Sequence, residues 1–104
     1  MPEFHKVCKK SDVPLTKGKT VLVADKRIAV FNLAGTFYAI DDGCTHADAS
    51  LAEGGLIVEE CAVECPWHGA QFDIKTGKAK TLPAVEPVAT YRTRVTGDDV
   101  EVEV

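Results

Sequence analysis

Two short stretches of this 104-residue chain, Cys44-Thr45-His46 and Cys65-Pro66-Trp67-His68-Gly69, decide how the rest of the sequence is interpreted. Each holds one cysteine and one histidine at close spacing, and each follows a segment with the pattern of a β-strand. Thiolate and imidazole ligands together suit a thiophilic metal centre. The sequence therefore predicts that Cys44, His46, Cys65 and His68 bind one metal centre together.

Two kinds of metal centre fit this ligand set. A structural zinc ion is often held by two cysteines and two histidines, but the two cysteines then usually stand together in sequence. Here each stretch offers one ligand of each type, which suits a two-iron cluster better. If the stretches lie side by side, both cysteines reach one iron and both histidines the other. A [2Fe–2S] cluster is the prediction, and a zinc-stabilised binding module without a redox role is the alternative.

The rest of the chain has the pattern of an all-β protein. No window sustains a 3.6-residue apolar period, and at most Asp48 to Ala52 form one helical turn, capped by Asp48 or Ser50. Turns are predicted at Ala34-Gly35, at Glu59-Glu60 and after Thr96, and the valines of the final hairpin are expected to face inward. The predicted strands are 20–24, 27–33, 36–40, 56–58, 61–63, 88–95 and 100–104. Short strands at close spacing indicate a small antiparallel sandwich or barrel.

The two metal-binding stretches resemble the C-x-H and C-x-x-H motifs of Rieske iron–sulfur proteins. The resemblance covers nearly the whole chain, including Gln71-Phe72-Asp73, the Leu82-Pro83-Ala84 segment and the C-terminal hairpin. It implies a Rieske fold, in which an antiparallel β-sandwich or barrel base carries a smaller cluster-binding subdomain at about 43–73. Residues 1–104 would then be one domain with one Rieske-type [2Fe–2S] cluster, and Pro83 would lie in a third segment beside it.

In detail the chain is similar to the Rieske ferredoxins of bacterial aromatic-ring dioxygenase systems. The resemblance implies a one-electron carrier, not an enzyme, whose partners are a flavin-dependent ferredoxin reductase and a terminal oxygenase. The alternative is a small Rieske subunit like that of assimilatory nitrite reductases. Ala49 and Trp67 stand where the respiratory branch has two disulfide-bonded cysteines, and Ala70 where it has a serine that donates to the cluster. The expected potential is therefore about −150 mV, at the low end of the Rieske range.

Charge is unevenly distributed along the chain. The formal net charge is −4, and residues 41–74 contain no lysine or arginine. Their acidic residues are Asp41, Asp42, Asp48, Glu53, Glu59, Glu60, Glu64 and Asp73. Such a segment repels nucleic acid, and we expect it to surround the cluster and steer basic partner surfaces towards it. No apolar run approaches a membrane span, so the expectation is a cytoplasmic monomer that binds neither membrane nor nucleic acid.

Four further residues have less specific interpretations. Cys8 and Cys61 are predicted to pack as small apolar residues on strands, and His5 is predicted to be a surface or edge residue of an N-terminal strand. Trp67 is expected to cover the cluster from water, with electron exit or partner contact as the alternative. None of the four is predicted to be a ligand.

Overall fold

The computed structural model describes residues 3–43, 50–67, 69–81 and 86–104. The strands of these ranges are β1 (Phe4–Lys9), β2 (Lys19–Val23), β3 (Lys26–Leu33), β4 (Thr36–Asp41), β5 (Gly55–Ile57), β6 (Ala62–Glu64), β7 (Gln71–Asp73), β8 (Thr90–Tyr91), β9 (Thr93–Thr96) and β10 (Asp99–Glu103). Three short 3₁₀ helices cover Lys10–Asp12, Leu51–Glu53 and Val58–Glu60. Within the same ranges no helix is long and apolar enough to cross a membrane.

The strands form three antiparallel sheets. The outer sheet has the order β1-β10-β9, the central sheet β2-β3-β4-β8, and the small sheet β5-β6-β7. Every pair of neighbouring strands is antiparallel. The all-β, antiparallel fold expected from the sequence is confirmed.

The central sheet lies between two core clusters. On one face, Ile28 and Val30 of β3 pack in a cluster with strand β10 of the outer sheet. On the other face, Ala29 and Phe31 of the same strand pack in a second cluster with Phe72 of the small sheet. Successive side chains of a strand point to opposite faces, so β3 contributes to both clusters. We call these the base core and the site core, respectively.

The hairpin between β3 and β4 has the predicted tight turn. Ala34 and Gly35 have φ angles of +54° and +95°, as a two-residue turn of the type that matches strand twist requires. The side-chain oxygen of Asn32 accepts a 2.8 Å hydrogen bond from the backbone N–H of Gly35. This local bond fixes the register of the two longest neighbouring strands.

The predicted strand 88–95 is wrong, because these residues form two short strands in different sheets. Strand β8 pairs with β4 in the central sheet, whereas β9 pairs with β10 in the outer sheet. The chain therefore changes sheets at Arg92. Of the valines expected to face inward, Val100 and Val102 are fully buried but Val95 is 43% exposed, since β9 is an edge strand.

The predicted strands 56–58 and 61–63 are each displaced by one residue. The 3₁₀ helix Val58–Glu60 separates β5 from β6, so Cys61 ends a turn and is not part of a strand. Its φ angle of +51° is the left-handed conformation in which such turns close. The side chain still packs against the site core, as predicted for a small apolar residue.

Tyr91 fastens the two-residue strand β8 to the end of β4. Its hydroxyl donates a 2.7 Å hydrogen bond to Oδ1 of Asp41. Partial burial, followed by this carboxylate, raises the pKa of Tyr91 to about 12. A neighbouring cross-link has the Thr93 hydroxyl donating to the carbonyl oxygen of Phe37 at 2.7 Å. Together these bonds hold the segment at which the chain changes sheets.

We expect Tyr91→Phe to lower the free energy of unfolding by about 1 kcal/mol near neutral pH. Because folding raises this pKa, the contribution is complete below about pH 10 and is lost as the pH rises through the folded value. Chemical unfolding of wild type and variant from neutral to alkaline pH should show their difference shrinking. Tyr38→Phe, which changes the only other tyrosine, is the control. A difference that stays constant up to the alkaline end would contradict this account.

Candidate metal centre

Of the four predicted ligands, the structure describes Cys65. Its side chain is 1% exposed and belongs to the site core. Cys44, His46 and His68 lie outside the described residues, as does the Pro83 segment. The residues on either side of the two ligand stretches are described, and they fix where each stretch leaves the fold and returns to it.

The two ends of the first stretch are joined by backbone pairing. Gly43, directly before Cys44, forms an antiparallel bridge with Ser50. Next to this bridge, the backbone N–H of Leu51 donates a 2.6 Å hydrogen bond to the carbonyl oxygen of Asp42. The described residues on the two sides of 44–49 are therefore adjacent in space.

Asp42 reinforces this closure with its side chain. Its carboxylate accepts hydrogen bonds from the Ser50 hydroxyl at 2.8 Å, the Ala52 backbone N–H at 2.9 Å and the Arg27 guanidinium at 3.1 Å. The carboxylate is almost fully buried, although the Arg27 side chain is 62% exposed. Residues 48 and 49 of the predicted helical turn 48–52 lie outside the described residues, and the observed 3₁₀ helix covers Leu51–Glu53. The predicted cap by Ser50 is wrong, because its hydroxyl bonds to Asp42 and does not cap this helix.

Asp42 is one of the acids expected from the sequence to surround the cluster, and its buried, hydrogen-bonded role was not predicted. A usable signal lies in the alternation of β4, because Ile40 faces the site core and Asp42 continues the same face two residues later. Its donors come from strand β3, from Ser50 and from the Leu51–Glu53 turn. The side chain is therefore buried only once the tertiary fold has formed.

The second stretch is closed in a similar way. The backbone N–H of Cys65 donates a 2.6 Å hydrogen bond to the carbonyl oxygen of Ala70, and Gly69 takes a φ angle of +74° where the chain turns back. Cys65 and Ala70 are buried, whereas Pro66 is exposed and Trp67 is 55% exposed. The role of Trp67 stays a prediction.

The fold brings together the described residues that follow the first stretch and those that flank the second. Leu51 and Ala52, which follow the first stretch, pack in the site core with Cys65 and Ala70 of the second. A Cβ atom added to Gly54 would collide with the backbone carbonyl oxygen of Glu64, the residue before Cys65. The backbone after the first stretch therefore contacts the backbone before the second directly.

This arrangement fits a cluster held by thiolates and imidazoles. Cys65 presents a thiol from an almost fully buried, apolar place, where the site core excludes water. Leu51 and Ala52, which follow the first stretch, share the site core with Cys65 and Ala70 of the second, and such proximity is what a shared two-iron centre requires. Thiolate and imidazole donors are those found in Rieske centres, where two histidines replace two cysteines on one iron.

The remaining cysteine and histidine predictions concern residues away from this place. Cys8 is 7% exposed and lies in β1 within the base core, as predicted. Burial, followed by the charge of Asp12, raises the pKa of the Cys8 thiol. His5 lies in the edge strand β1, as predicted. Neither residue belongs to the site core.

The acidic segment divides into two groups. Among the described aspartates, Asp41 and Asp42 accept the hydrogen bonds described above, and Asp73 accepts bonds from the backbone N–H groups of Lys75 and Thr76 at 2.8 and 3.0 Å. These carboxylates hold the fold together. The expectation that all the acids form a steering surface is therefore wrong for Asp42, which is buried and paired with Arg27, and stays a prediction for the others.

The glutamates of the segment are exposed. Two of them have basic neighbours, since Lys17 lies 3.6 Å from Glu53 and Lys80 lies 3.3 Å from Glu60. Among the residues that the structure describes, Glu59 and Glu64 have no basic partner within salt-bridge distance. Glu59 and Glu64 are thus the exposed glutamates of the segment that lack a basic neighbour in the described part of the chain, while the described Asp41 and Asp73 also carry no ion pair there and keep their charge with neutral donors.

Comparison with known proteins agrees with the geometry. Residues 3–92 match the family model of the Rieske [2Fe–2S] domain. The 3-phenylpropionate/cinnamic acid dioxygenase ferredoxin subunit of Escherichia coli K12 is 44% identical over 97 residues, which is 92% of this chain and 89% of that protein. The ferredoxin of carbazole 1,9a-dioxygenase from Nocardioides aromaticivorans IC177 superimposes with a TM-score of 0.91 at 30% identity, over 98% of this chain and 96% of that one. A ferredoxin solved in complex with the reduced oxygenase of carbazole 1,9a-dioxygenase has a TM-score of 0.85 and 35% identity, over 95% and 91% of the two chains.

The chain belongs to the Rieske [2Fe–2S] domain family. It carries one Rieske-type [2Fe–2S] cluster. It is an electron carrier of the ferredoxin type, the electron-transfer component of a larger system and not its catalytic subunit.

The contact of Gly54 with Glu64 gives a direct test of how the two stretches are held together. We expect Gly54→Ala to separate the Leu51–Glu53 turn from β6, to lower the free energy of unfolding by about 1–3 kcal/mol, and to reduce the iron content per chain. Gly55→Ala is the matched control, because a Cβ atom there would lie 4.0 Å from its nearest neighbour. Iron analysis and thermal unfolding measure both effects. Equal iron content in the two variants would show that this contact does not hold the site.

Proposed function

We propose that this ferredoxin carries single electrons from a flavin-dependent ferredoxin reductase to the terminal oxygenase of an aromatic-ring dioxygenase system. The observation that carries the proposal is the 44% identity, over almost the whole chain, to a dioxygenase ferredoxin subunit. The related ferredoxin solved with its oxygenase supports the oxygenase as one partner. We further propose that the protein is a cytoplasmic monomer and that residues 1–104 form one domain.

We propose that Cys44, His46, Cys65 and His68 hold the cluster within a cluster-binding subdomain at about 43–73. The burial of Cys65 and the paired ends of both stretches support this assignment. When bound, the cluster supplies a one-electron couple whose potential histidine ligation raises. The protein's part is to hold the ligand stretches side by side and to keep Cys65 away from water.

Ala70 supports a potential at the low end of the Rieske range. Its side chain is fully buried in the site core beside Cys65 and offers no hydrogen-bond donor. Hydrogen bonds to cluster sulfur are one of the factors that set the potential. With a methyl group at this position, we propose a value of about −150 mV, which suits a carrier whose electrons come from a nicotinamide nucleotide through a reductase.

The ligand assignment predicts different outcomes for different cysteines. We expect Cys44→Ser and Cys65→Ser to lose the cluster, whereas Cys8→Ser and Cys61→Ser retain the iron and acid-labile sulfide of the wild type. His68→Cys keeps four ligands but shifts the potential towards the roughly −400 mV of all-cysteine plant-type ferredoxins. Metal analysis, electron paramagnetic resonance and voltammetry measure these effects. A zinc-containing, sulfide-free wild type, even after anaerobic reconstitution, would instead support the binding-module alternative.

The proposed partners predict a salt-dependent electron transfer that relies on Glu59 and Glu64. At low ionic strength we expect Glu59→Gln/Glu64→Gln to slow reduction by the reductase and reoxidation by the oxygenase a few-fold, by weakening attraction to basic surfaces. The difference should disappear at high salt, where exposed charges are screened. Glu3→Gln/Glu103→Gln, which removes two acidic residues next to and in the outer sheet, is the control with the same net charge. Transfer rates that do not change with salt concentration would contradict the steering role. Failure to exchange electrons with either enzyme would favour the nitrite reductase-type subunit.

A further inference from the structure

Asp42 is the buried charged side chain of the described residues, with 0% of its surface exposed. A carboxylate is expensive to remove from water unless it is paired and hydrogen-bonded. At this position the cost is offset by three donors, which come from β3, from Ser50 and from the turn that follows it. An apolar side chain would fill the space without that cost, so the carboxylate has a role that packing alone does not explain.

The role follows from where the three donors lie. Ser50 and Ala52 stand directly after residues 44–49, and Asp42 stands directly before Gly43, which pairs with Ser50. The carboxylate therefore ties the outgoing end of the stretch to its returning end. Arg27, on the neighbouring strand, ties both ends to the central sheet.

The chemistry of the group suits this task. An ionised carboxylate has two oxygens that only accept hydrogen bonds. Here Oδ1 accepts from Ser50 and Ala52, while Oδ2 accepts from Arg27. An asparagine side chain has one accepting oxygen, which could accept either from Ser50 and Ala52 or from Arg27. Its N–H₂ group would then face the remaining donor or donors. The site thus distinguishes aspartate from its isosteric amide.

We propose that Asp42 is the positioning residue for the first ligand stretch, fixing where Cys44 and His46 stand relative to Cys65 and His68. This inference rests on the proposed ligand set. Asp42 makes no bond to the cluster in this proposal. It acts by joining the residues on the two sides of 44–49. Arg27 compensates its charge, which limits the effect of a fixed anion on reduction nearby.

The experiment compares cluster behaviour in variants of the holo-ferredoxin. Asp42→Asn breaks the carboxylate bonds, and Ser50→Ala removes one donor without introducing a misplaced amide. Ser50→Thr keeps the hydroxyl as the conservative rescue. Two controls separate positioning from general stability. Asp73→Asn changes a carboxylate that caps a turn away from the first stretch, and Val100→Ala weakens the base core.

We expect Asp42→Asn to lose its cluster to a chelator about tenfold faster than wild type, within the range found for residues that orient metal ligands. Ser50→Ala should show a smaller acceleration, and Ser50→Thr should return to the wild-type rate. The paramagnetic resonance signal of the reduced protein should change its g-values or broaden in Asp42→Asn. Asp73→Asn and Val100→Ala should keep the wild-type signal even where thermal unfolding shifts to lower temperature. If Asp42→Asn fails to fold, the comparison of Ser50→Ala with wild type and Ser50→Thr provides the test.

Wild-type signals and loss rates in Asp42→Asn and Ser50→Ala, with Cys44→Ser devoid of cluster, would overturn the positioning role and leave the ligand set intact. Acceleration in Val100→Ala equal to that in Ser50→Ala would also overturn it, since stability alone would then explain the loss. A cluster that survives Cys44→Ser would overturn the proposed ligand set and this inference together.

Discussion

Burial of the central sheet on both faces is the constraint on which the rest of this structure depends. Strand β3 contains four consecutive apolar residues, Ile28 to Phe31, and all four are fully buried. Each of the larger side chains contributes about 1.5–3 kcal/mol of hydrophobic stabilisation relative to exposure. Because alternate residues serve opposite faces, the strand cannot be shielded by a single layer. The outer sheet covers one face and the small sheet with its preceding turn covers the other.

This two-sided burial divides the work of the molecule. The base core joins the outer and central sheets and contains Cys8 but no predicted ligand. The site core joins the central sheet to the small sheet and contains Cys65 together with Leu51, Ala52 and Ala70, which follow the two stretches. The residues that flank the proposed ligands thus lie on one face of a sheet whose other face is secured independently. They stand on paired backbone, which is more rigid than a free loop.

The polar residues near the site follow the same division. Aspartates at the ends of β4 and β7 hold backbone and side-chain donors, whereas the glutamates project into solvent. A short side chain keeps its carboxylate close to its own backbone and can serve local hydrogen bonds. The longer glutamate side chain extends beyond them. Asp42, buried and paired with Arg27, is one acid of the segment whose charge a partner does not meet at the surface.

Most of the strands could be predicted from the sequence, and the motif that suggests the ligands is visible there, because both depend on local spacing; the ligand set itself stays a prediction. Two residues per strand period, a two-residue turn and a repeated Cys–His pair are all visible over a few positions. The alternation failed at Arg92, where the chain changes sheets without any break in its pattern. It failed again at Cys61, which a 3₁₀ turn displaces from its predicted strand.

The sequence by itself determined the spacing of the two Cys–His motifs, which carries the proposed ligand set, and the antiparallel β-structure around them. The tertiary structure alone decided which acid is buried, which glutamates lack a basic neighbour among the described residues, and how the residues that flank the two stretches meet. The physical reason is that ligand identity is carried by single side chains. Burial and pairing, by contrast, depend on groups far apart in the chain, such as Arg27 and Asp42 or Gly54 and Glu64, that only the assembled fold brings into contact.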